Sequence, residues 1–108
     1  MTGSIIDLMA LMNLDDADPF LRDFATRHGI RRLALFGSVL RGEDTPASDV
    51  DLLVEFEEGR TPGLLGMAEL ELELGAVLGR EVELRTYEDL SRYFRDHVAA
   101  TARPLYAA

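Results

Sequence analysis

The chain has 108 residues, a length that predicts one domain and excludes an active site built between two lobes. Hydrophobic residues make up 47% of the chain, with only 9 Gly and 4 Pro, which is typical of a packed globular domain. The 20 acidic residues outnumber the 11 basic ones, all of them Arg, and the net charge of -9 argues against unaided binding to a nucleic-acid backbone.

The sequence also lacks cysteine and any long apolar segment. The chain contains no Cys, which excludes disulfides, thiolate nucleophiles and cysteine-ligated metals. No apolar run reaches about 18 residues, and no basic segment precedes an apolar core at the N-terminus. We therefore expect a cytoplasmic protein without membrane contact.

The first elements predicted along the chain are two helices. Apolar side chains recur at spacings of three and four over residues 4–13, which predicts an amphipathic helix. This helix and a connector would occupy residues 1–17. Asp18 and Pro19 then supply an N-cap and a first-turn proline, so a second helix is predicted over about residues 19–28.

Two strands and a short helix are predicted next. The apolar run 33–36 predicts a buried strand that ends at Gly37, with a short helix after it. Residues 49–56 alternate between polar and apolar side chains, which predicts a second strand. Its two faces would carry Val50, Leu52, Val54 and Phe56 on one side and Asp49, Asp51, Leu53 and Glu55 on the other.

A longer helix is predicted after a polar loop. Thr61 and Pro62 repeat the pattern of a cap followed by proline, and Gly79 is a stop signal. Residues 70–74 taken alone alternate like a strand. The apolar spacing over about 16 residues instead fits a helix, which is our prediction.

The remaining chain predicts a third strand and a last helix. Residues 80–85 form the strand, and Thr86 with Asp89 resembles a capping box for a helix that continues past Val98 until Pro104 ends it. The predicted order is helix, helix, strand, short helix, strand, helix, strand, helix. This order predicts an α/β fold with a small mixed sheet covered by helices.

Two short motifs point to phosphoryl chemistry. The first is Gly37-Ser38 followed by Arg41-Gly42, and the second is Ser48-Asp49-Val50-Asp51-Leu52. Asp49 and Asp51 lie two residues apart on the predicted strand, so both carboxylates should leave one face about 6.5–7 Å apart. Carboxylates suit Mg²⁺, and two such ions can clamp the attacking and leaving oxygens.

Gly37 and Ser38 are candidates for binding a nucleotide's phosphates. They follow a strand and precede a short helix, where backbone N–H groups and the Ser38 hydroxyl can face anionic oxygens. Glycine at position 37 permits close approach of the backbone. Each motif alone is also typical of an ordinary turn or of a solvated strand face, and it is their combination that favours a nucleotide site.

Together the motifs resemble the signature of the nucleotidyltransferase superfamily related to polymerase β. The layout from about residue 19 to Tyr106 is similar to the minimal nucleotidyltransferases, the MNT proteins, which are usually the antitoxin half of HEPN/MNT toxin–antitoxin pairs. The resemblance implies a polymerase β-like palm fold and a single minimal domain over residues 1–108.

The resemblance also implies roles for particular residues. Asp49 and Asp51 would be catalytic and bind metal, and Gly37 and Ser38 would hold the β- and γ-phosphates. Ser48 and Arg41 complete the candidate nucleotide-binding residues, because both lie inside the signature. Arg41 either contacts phosphate or pairs with an acid and so fixes the loop to the sheet.

A third catalytic and metal-binding carboxylate is expected on the neighbouring strand. The matching residue is Glu83, where most relatives are expected to have Asp. Glu is one methylene longer and can still reach a metal or act as general base. The alternative is that Glu83 is a plain solvent-facing residue.

The function implied by the resemblance is Mg²⁺-dependent transfer of AMP from ATP to a tyrosine hydroxyl of a cognate HEPN ribonuclease toxin, with two Mg²⁺ ions expected. A second interpretation is a binding module that holds the toxin sterically and has a vestigial nucleotide site. A third is the nucleotide-binding subunit of a small-molecule adenylyltransferase, similar to the aminoglycoside nucleotidyltransferases. The negative charge favours a protein acceptor and a basic partner over direct nucleic-acid binding.

Overall fold

Four helices and four strands make up the part of the chain that the computed structural model describes, residues 19–43 and 48–108. They are, in chain order, α1 (Pro19–His28), β1 (Ile30–Phe36), α2 (Ser38–Arg41), β2 (Val50–Phe56), α3 (Leu64–Leu78), β3 (Val82–Arg85), α4 (Arg95–Thr101) and β4 (Arg103–Ala107). The helix predicted over residues 4–13 and its connector lie outside the described residues. Among the helices described, none is long and apolar enough to cross a membrane.

The four strands form one mixed sheet in the order β3-β2-β1-β4. β1 runs antiparallel to β2 and to β4, whereas β2 and β3 are parallel. Parallel neighbours need a crossover connection, and α3 supplies it between β2 and β3. The predicted α/β class with a small mixed sheet covered by helices is confirmed.

One face of the sheet packs against α1 and α3 and forms the core. The alternation predicted for β2 is confirmed, because Val50, Leu52 and Val54 are buried. They belong to one apolar cluster with side chains of both helices, namely Leu21, Phe24, Ala25, Leu70, Leu74 and Leu78. The residues that alternate with the buried ones therefore lie on the opposite face of the sheet.

The predicted helix and strand limits are mostly correct to within a few residues. α1 coincides with its predicted range. α3 begins at Leu64 and not at Pro62, and it ends at Leu78 because Gly79, with φ 71°, adopts the left-handed conformation that closes a helix. β1 begins at Ile30, three residues earlier than predicted. The prediction began at Leu33 because two exposed arginines, Arg31 and Arg32, separate Ile30 from the apolar run.

The prediction of a last helix that starts at a Thr86 capping box is wrong. Thr86 and Asp89 do exchange the two hydrogen bonds of that motif, at 3.1 Å and 3.2 Å. The chain nevertheless turns through residues 87–94, and α4 begins only at Arg95. Capping bonds of this kind are local and fix one turn only, so they do not require the helix to continue.

The sequence interpretation also missed β4. Arg103–Ala107 pairs with β1 at one edge of the sheet, and Leu105 and Tyr106 are buried there. Pro104 ended the helix as predicted, but it lies inside a strand. A proline lacks the N–H of a sheet ladder, and an edge strand tolerates this because one side has no partner strand.

Candidate active site

Three carboxylates meet at one end of the sheet, on the face opposite the core. Asp51 in β2 is aligned with Phe36 in β1 on one side and with Glu83 in β3 on the other. Asp49 lies just before β2, whose first residue is Val50, so the strand begins one residue later than predicted. Asp49 and Glu83 line the same groove along the outer side of β3. The structure thus brings together the three residues that the sequence singled out.

The pKa values of Asp51 and Glu83 are both raised. Burial, followed by the charge of Asp49, raises the pKa of Asp51 above its usual range. The pKa of Glu83 is raised chiefly by a hydrogen bond with Asp49 and then by burial. Burial and the proximity of a second carboxylate therefore disfavour the ionised forms of Asp51 and Glu83, and a bound cation would offset both effects.

Glu83 is partly exposed and forms an ion pair. Its Oε1 accepts a hydrogen bond from Arg85 Nη2 at 2.6 Å. Within residues 19–43 and 48–108, no group of three or more His, Cys, Asp or Glu side chains is already spaced to hold a metal ion. The oxygen donors are of the kind that Mg²⁺ prefers, but Glu83 would have to leave or share its arginine partner to bind a cation together with Asp49 and Asp51.

Gly37 closes the site on the β1 side. Its backbone angles, φ 82° and ψ -156°, belong to a region that essentially only glycine adopts. A Cβ atom at this position would overlap the Asp51 carboxylate oxygen Oδ2. Glycine is therefore required both by the backbone conformation and by the close approach of Asp51.

Ser38 begins α2 directly after Gly37, so both candidate phosphate-binding residues adjoin the carboxylates. The first N–H groups of a helix have no partner within it, and those of Ser38 and its successor are available to a ligand. α2 is one turn long and closes at Gly42, which donates to the Val39 carbonyl at 3.2 Å.

The two remaining candidates, Arg41 and Ser48, lie at the margins of this site. Arg41 is exposed, and its Nε donates to Glu43 Oε1 at 2.9 Å, an acid of the same loop and not of the sheet. Its charge also lowers the pKa of Asp51, which keeps it electrostatically coupled to the site. Ser48 is half-buried, and its carbonyl accepts from Arg80 Nη2 at 2.8 Å.

Comparison with known proteins assigns a family to this arrangement. Residues 18–105 match the family model described as a nucleotidyltransferase domain. The chain belongs to this family. A relative, the protein adenylyltransferase MntA of Thermococcus cleftensis, is 42% identical over 80 residues, which cover 70% of this chain and 79% of the relative.

Two solved structures resemble this nucleotidyltransferase. One, described as a minimal nucleotidyltransferase, is 40% identical and aligns with a TM-score of 0.70 over 94% of this chain and 99% of that one. The other is a toxin–antitoxin crystal structure with AMP-PNP, which covers 82% of this chain and 71% of that chain at 21% identity and a TM-score of 0.67. At that identity, the second structure supports the fold alone.

Arg80 links the strands that carry the carboxylates of the nucleotidyltransferase. Its bond to the Ser48 carbonyl fixes the segment immediately before Asp49. Val50, the first residue of β2, donates its N–H to the Glu81 carbonyl at 2.8 Å. Together the two bonds attach the start of β2 to the start of β3. The sequence indicates only an arginine near the third strand that could offset phosphate charge, and it does not reveal the partner Ser48. We expect Arg80 to act as a positioning residue.

Replacing Arg80 with Met is expected to reduce nucleotidyl transfer about tenfold with a small change in melting temperature, because misplacement of a reacting group by ~1 Å can cost up to about 10²-fold. Arg80→Lys should restore part of the rate. The measurement is single-turnover transfer together with thermal denaturation.

The control for this substitution is Arg60→Met. Arg60 also donates to a backbone carbonyl, that of Arg27, at 3.4 Å and away from the carboxylates. The positioning role would be wrong if both variants slowed transfer equally.

A separate groove of about 400 Å³ lies farther along the sheet of the nucleotidyltransferase. Its lining includes Leu53, the next residue of β2 on the face of Asp51, and Ala34 of β1. Ala99 and Ala102, in and just after α4, form a wall. None of the three carboxylates lines this groove, so it is distinct from the candidate active site.

Proposed function

We propose that the chain is a Mg²⁺-dependent protein adenylyltransferase that transfers AMP from ATP to a tyrosine hydroxyl of a cognate ribonuclease toxin, of the HEPN type, and so acts as its antitoxin. The observation that carries the proposal is the cluster of Asp49, Asp51 and Glu83 directly against Gly37. The 42% identical relative is named a protein adenylyltransferase, and the toxin–antitoxin structure of the same fold contains an ATP analogue.

Mg²⁺ is the cation that the donor set favours. Asp49 and Asp51 would hold it, with Glu83 as a third ligand once it is released from Arg85. A bound cation would also offset the burial and the neighbouring carboxylates that raise the pKa values of Asp51 and Glu83. When bound, Mg²⁺ supplies neutralisation of the triphosphate and of the departing pyrophosphate.

The chain's own residues would bind the phosphates and accept the proton of the attacking hydroxyl. Backbone N–H groups at Gly37 and Ser38 hold the β- and γ-phosphates, so that the α-phosphorus lies near Asp51. The tyrosine oxygen attacks this phosphorus, a new O–P bond forms, and the bond to the bridging oxygen breaks and releases pyrophosphate. Glu83 accepts the hydroxyl proton, a role that its raised pKa supports.

A second candidate function is a non-catalytic antitoxin that holds its toxin sterically. The observation in its favour is the 2.6 Å bond between Arg85 and Glu83, which competes with metal binding. In this alternative the nucleotide site is vestigial, and inhibition of the toxin needs no chemistry.

The experiment incubates the protein and the toxin encoded beside it with Mg²⁺ and ATP labelled at the α-phosphate. We expect label on the toxin, no label when ATP is labelled at the γ-phosphate, and no transfer in EDTA. Toxin inhibition should require the label. If an Asp49→Asn/Asp51→Asn variant leaves the toxin unlabelled but fully inhibited, the steric alternative is correct and the enzymatic proposal is wrong.

A further inference from the structure

The outer face of α3 is apolar although nothing described covers it. Leu70, Leu74 and Leu78 on the inner face are buried in the core. On the opposite face, Leu65 and Leu72 are 83% and 74% exposed. Ala68 and Ala76 are also exposed, and the four residues follow one another at the spacing of a single helix face. α3 therefore carries a second apolar stripe besides the one that packs on the core, and such a stripe is typical of a helix face that meets a partner.

This apolar stripe, Leu65, Ala68, Leu72 and Ala76, leads to the catalytic carboxylates. A groove of about 740 Å³ lies between α3 and the outer edge of β3. Three residues of the stripe line one side of it, and Asp49 and Glu83 line the other. A molecule resting on the outer face of α3 would therefore have a continuous path to the carboxylates.

The sheet order places the groove on the side from which an acceptor oxygen would attack the nucleotide. Gly37 adjoins Asp51 from the β1 side, whereas Glu83 lies on the β3 side of Asp51. In an in-line displacement, the attacking oxygen enters opposite the leaving group. With pyrophosphate at Gly37, the acceptor oxygen would enter from β3, the side on which the groove opens.

We propose that this groove and the apolar stripe of α3 form the docking surface for the acceptor protein, a folded partner with an apolar patch rimmed by Arg or Lys. The surface delivers the partner's hydroxyl to Asp49 and Glu83. The inference rests on the proposed function, since it names the surface by which the toxin reaches the same site.

Charge favours a basic partner over the other molecules that would cover this face. α3 carries Glu69, Glu71 and Glu73 and no basic residue. Glu71 lines the groove, whereas Glu73 is paired with Arg27 and His28 on the other side of the helix. A second copy of the chain in a symmetric contact would place these acids opposite one another, which is repulsive. Residues 1–18 contain four Asp and no Arg or Lys, so the chain's own N-terminal segment would meet the same repulsion. A protein that binds RNA is expected to be basic, because it must neutralise phosphates.

The edge of β3 favours docking through side chains over the addition of a strand. The Leu84 N–H, which a new strand would need, donates to Glu71 Oε2 at 2.8 Å. An edge occupied in this way is a poor template for strand pairing. The partner is therefore expected to present a helix or a loop to the stripe.

The test is a Leu72→Glu variant, assayed against the purified toxin by isothermal titration calorimetry. Because Leu72 is exposed, the variant should keep the melting temperature and the AMP-PNP affinity of the wild type. Its affinity for the toxin should fall by about 10²-fold, and transfer at limiting toxin should fall in parallel.

The matched control is Thr26→Glu, which places the same charge on the exposed side of α1 and should leave toxin affinity unchanged. Wild-type affinity in Leu72→Glu would overturn the docking surface, as would a wild-type protein that does not bind the toxin. A wild-type dimer that Leu72→Glu dissociates, with toxin binding intact, would show that a second copy covers the stripe. Binding that depends on Leu72 but yields no labelled toxin would uphold the surface and refute the proposed enzyme.

Discussion

Replacing Asp51 with Asn is expected to abolish nucleotidyl transfer while the protein remains folded. Asp51 lies between Phe36 and Glu83 in the sheet and against Gly37, so it is the central member of the carboxylate cluster. Loss of a carboxylate that binds a catalytic cation should cost several kcal/mol of transition-state stabilisation, or about 10³-fold in rate. Transfer of label from ATP to the toxin measures this loss.

Although it loses transfer activity, the same variant should not lose thermal stability. The pKa of Asp51 is raised in the folded chain, so ionising it at neutral pH costs folding free energy when no metal is present. That penalty disappears as the pH falls through the raised pKa, and it disappears at every pH in Asp51→Asn. In EDTA at neutral pH, the melting temperature of the variant should therefore equal or exceed that of the wild type.

Glu55→Gln is the control for the Asp51 variant. Glu55 lies on the same face of β2, is exposed, and forms a 3.3 Å ion pair with Arg31. It should retain full transfer, because it is remote from Asp49 and Glu83. A fall of more than about 5 °C in the melting temperature of Asp51→Asn, roughly the effect of 1 kcal/mol in a domain of this size, would indicate a structural role.

The strand that carries Asp51 was predictable because its signal is local. Polar and apolar residues alternate from Val50 to Phe56, and burial of every second residue reproduces that alternation. The motifs also indicated which carboxylates meet. Their alignment across β2 and β3 depends on a parallel register, which pairs Asp51 with Glu83 and which residue spacing along the chain does not encode. The catalytic and metal-binding roles of these residues stay predictions.

The predictions from sequence failed where the local structure depends on residues that are distant along the chain. Arg103–Ala107 becomes a strand because the β1 edge is available to it, and Pro104 alone reads as a stop signal. The same holds for Arg80 and Arg85. Their partners, Ser48 and Glu83, are set by how β2 and β3 align and by side-chain direction, and neither is visible in a single sequence.

Gly37→Ala is expected to impair both folding and transfer. The alanine would have to adopt φ 82° and ψ -156°, a strained conformation that costs about 1–3 kcal/mol outside glycine. Its Cβ would also displace Asp51 Oδ2, which it overlaps. We expect a melting temperature lower by roughly 10 °C and transfer reduced by about 10²-fold, as a displacement of ~1 Å implies.

Gly42→Ala separates the effect of backbone strain from that of contact with Asp51. Gly42 also has a positive φ, 73°, but a Cβ there would meet no atom within 4 Å. It should lose about 1 kcal/mol from left-handed strain and keep near-normal transfer. The close approach predicts a further result for Gly37→Ala, whose stability cost should be smaller in an Asp51→Ala background, since the overlapping oxygen is gone. If the cost is the same in both backgrounds, only backbone strain requires glycine at position 37, and contact with Asp51 does not.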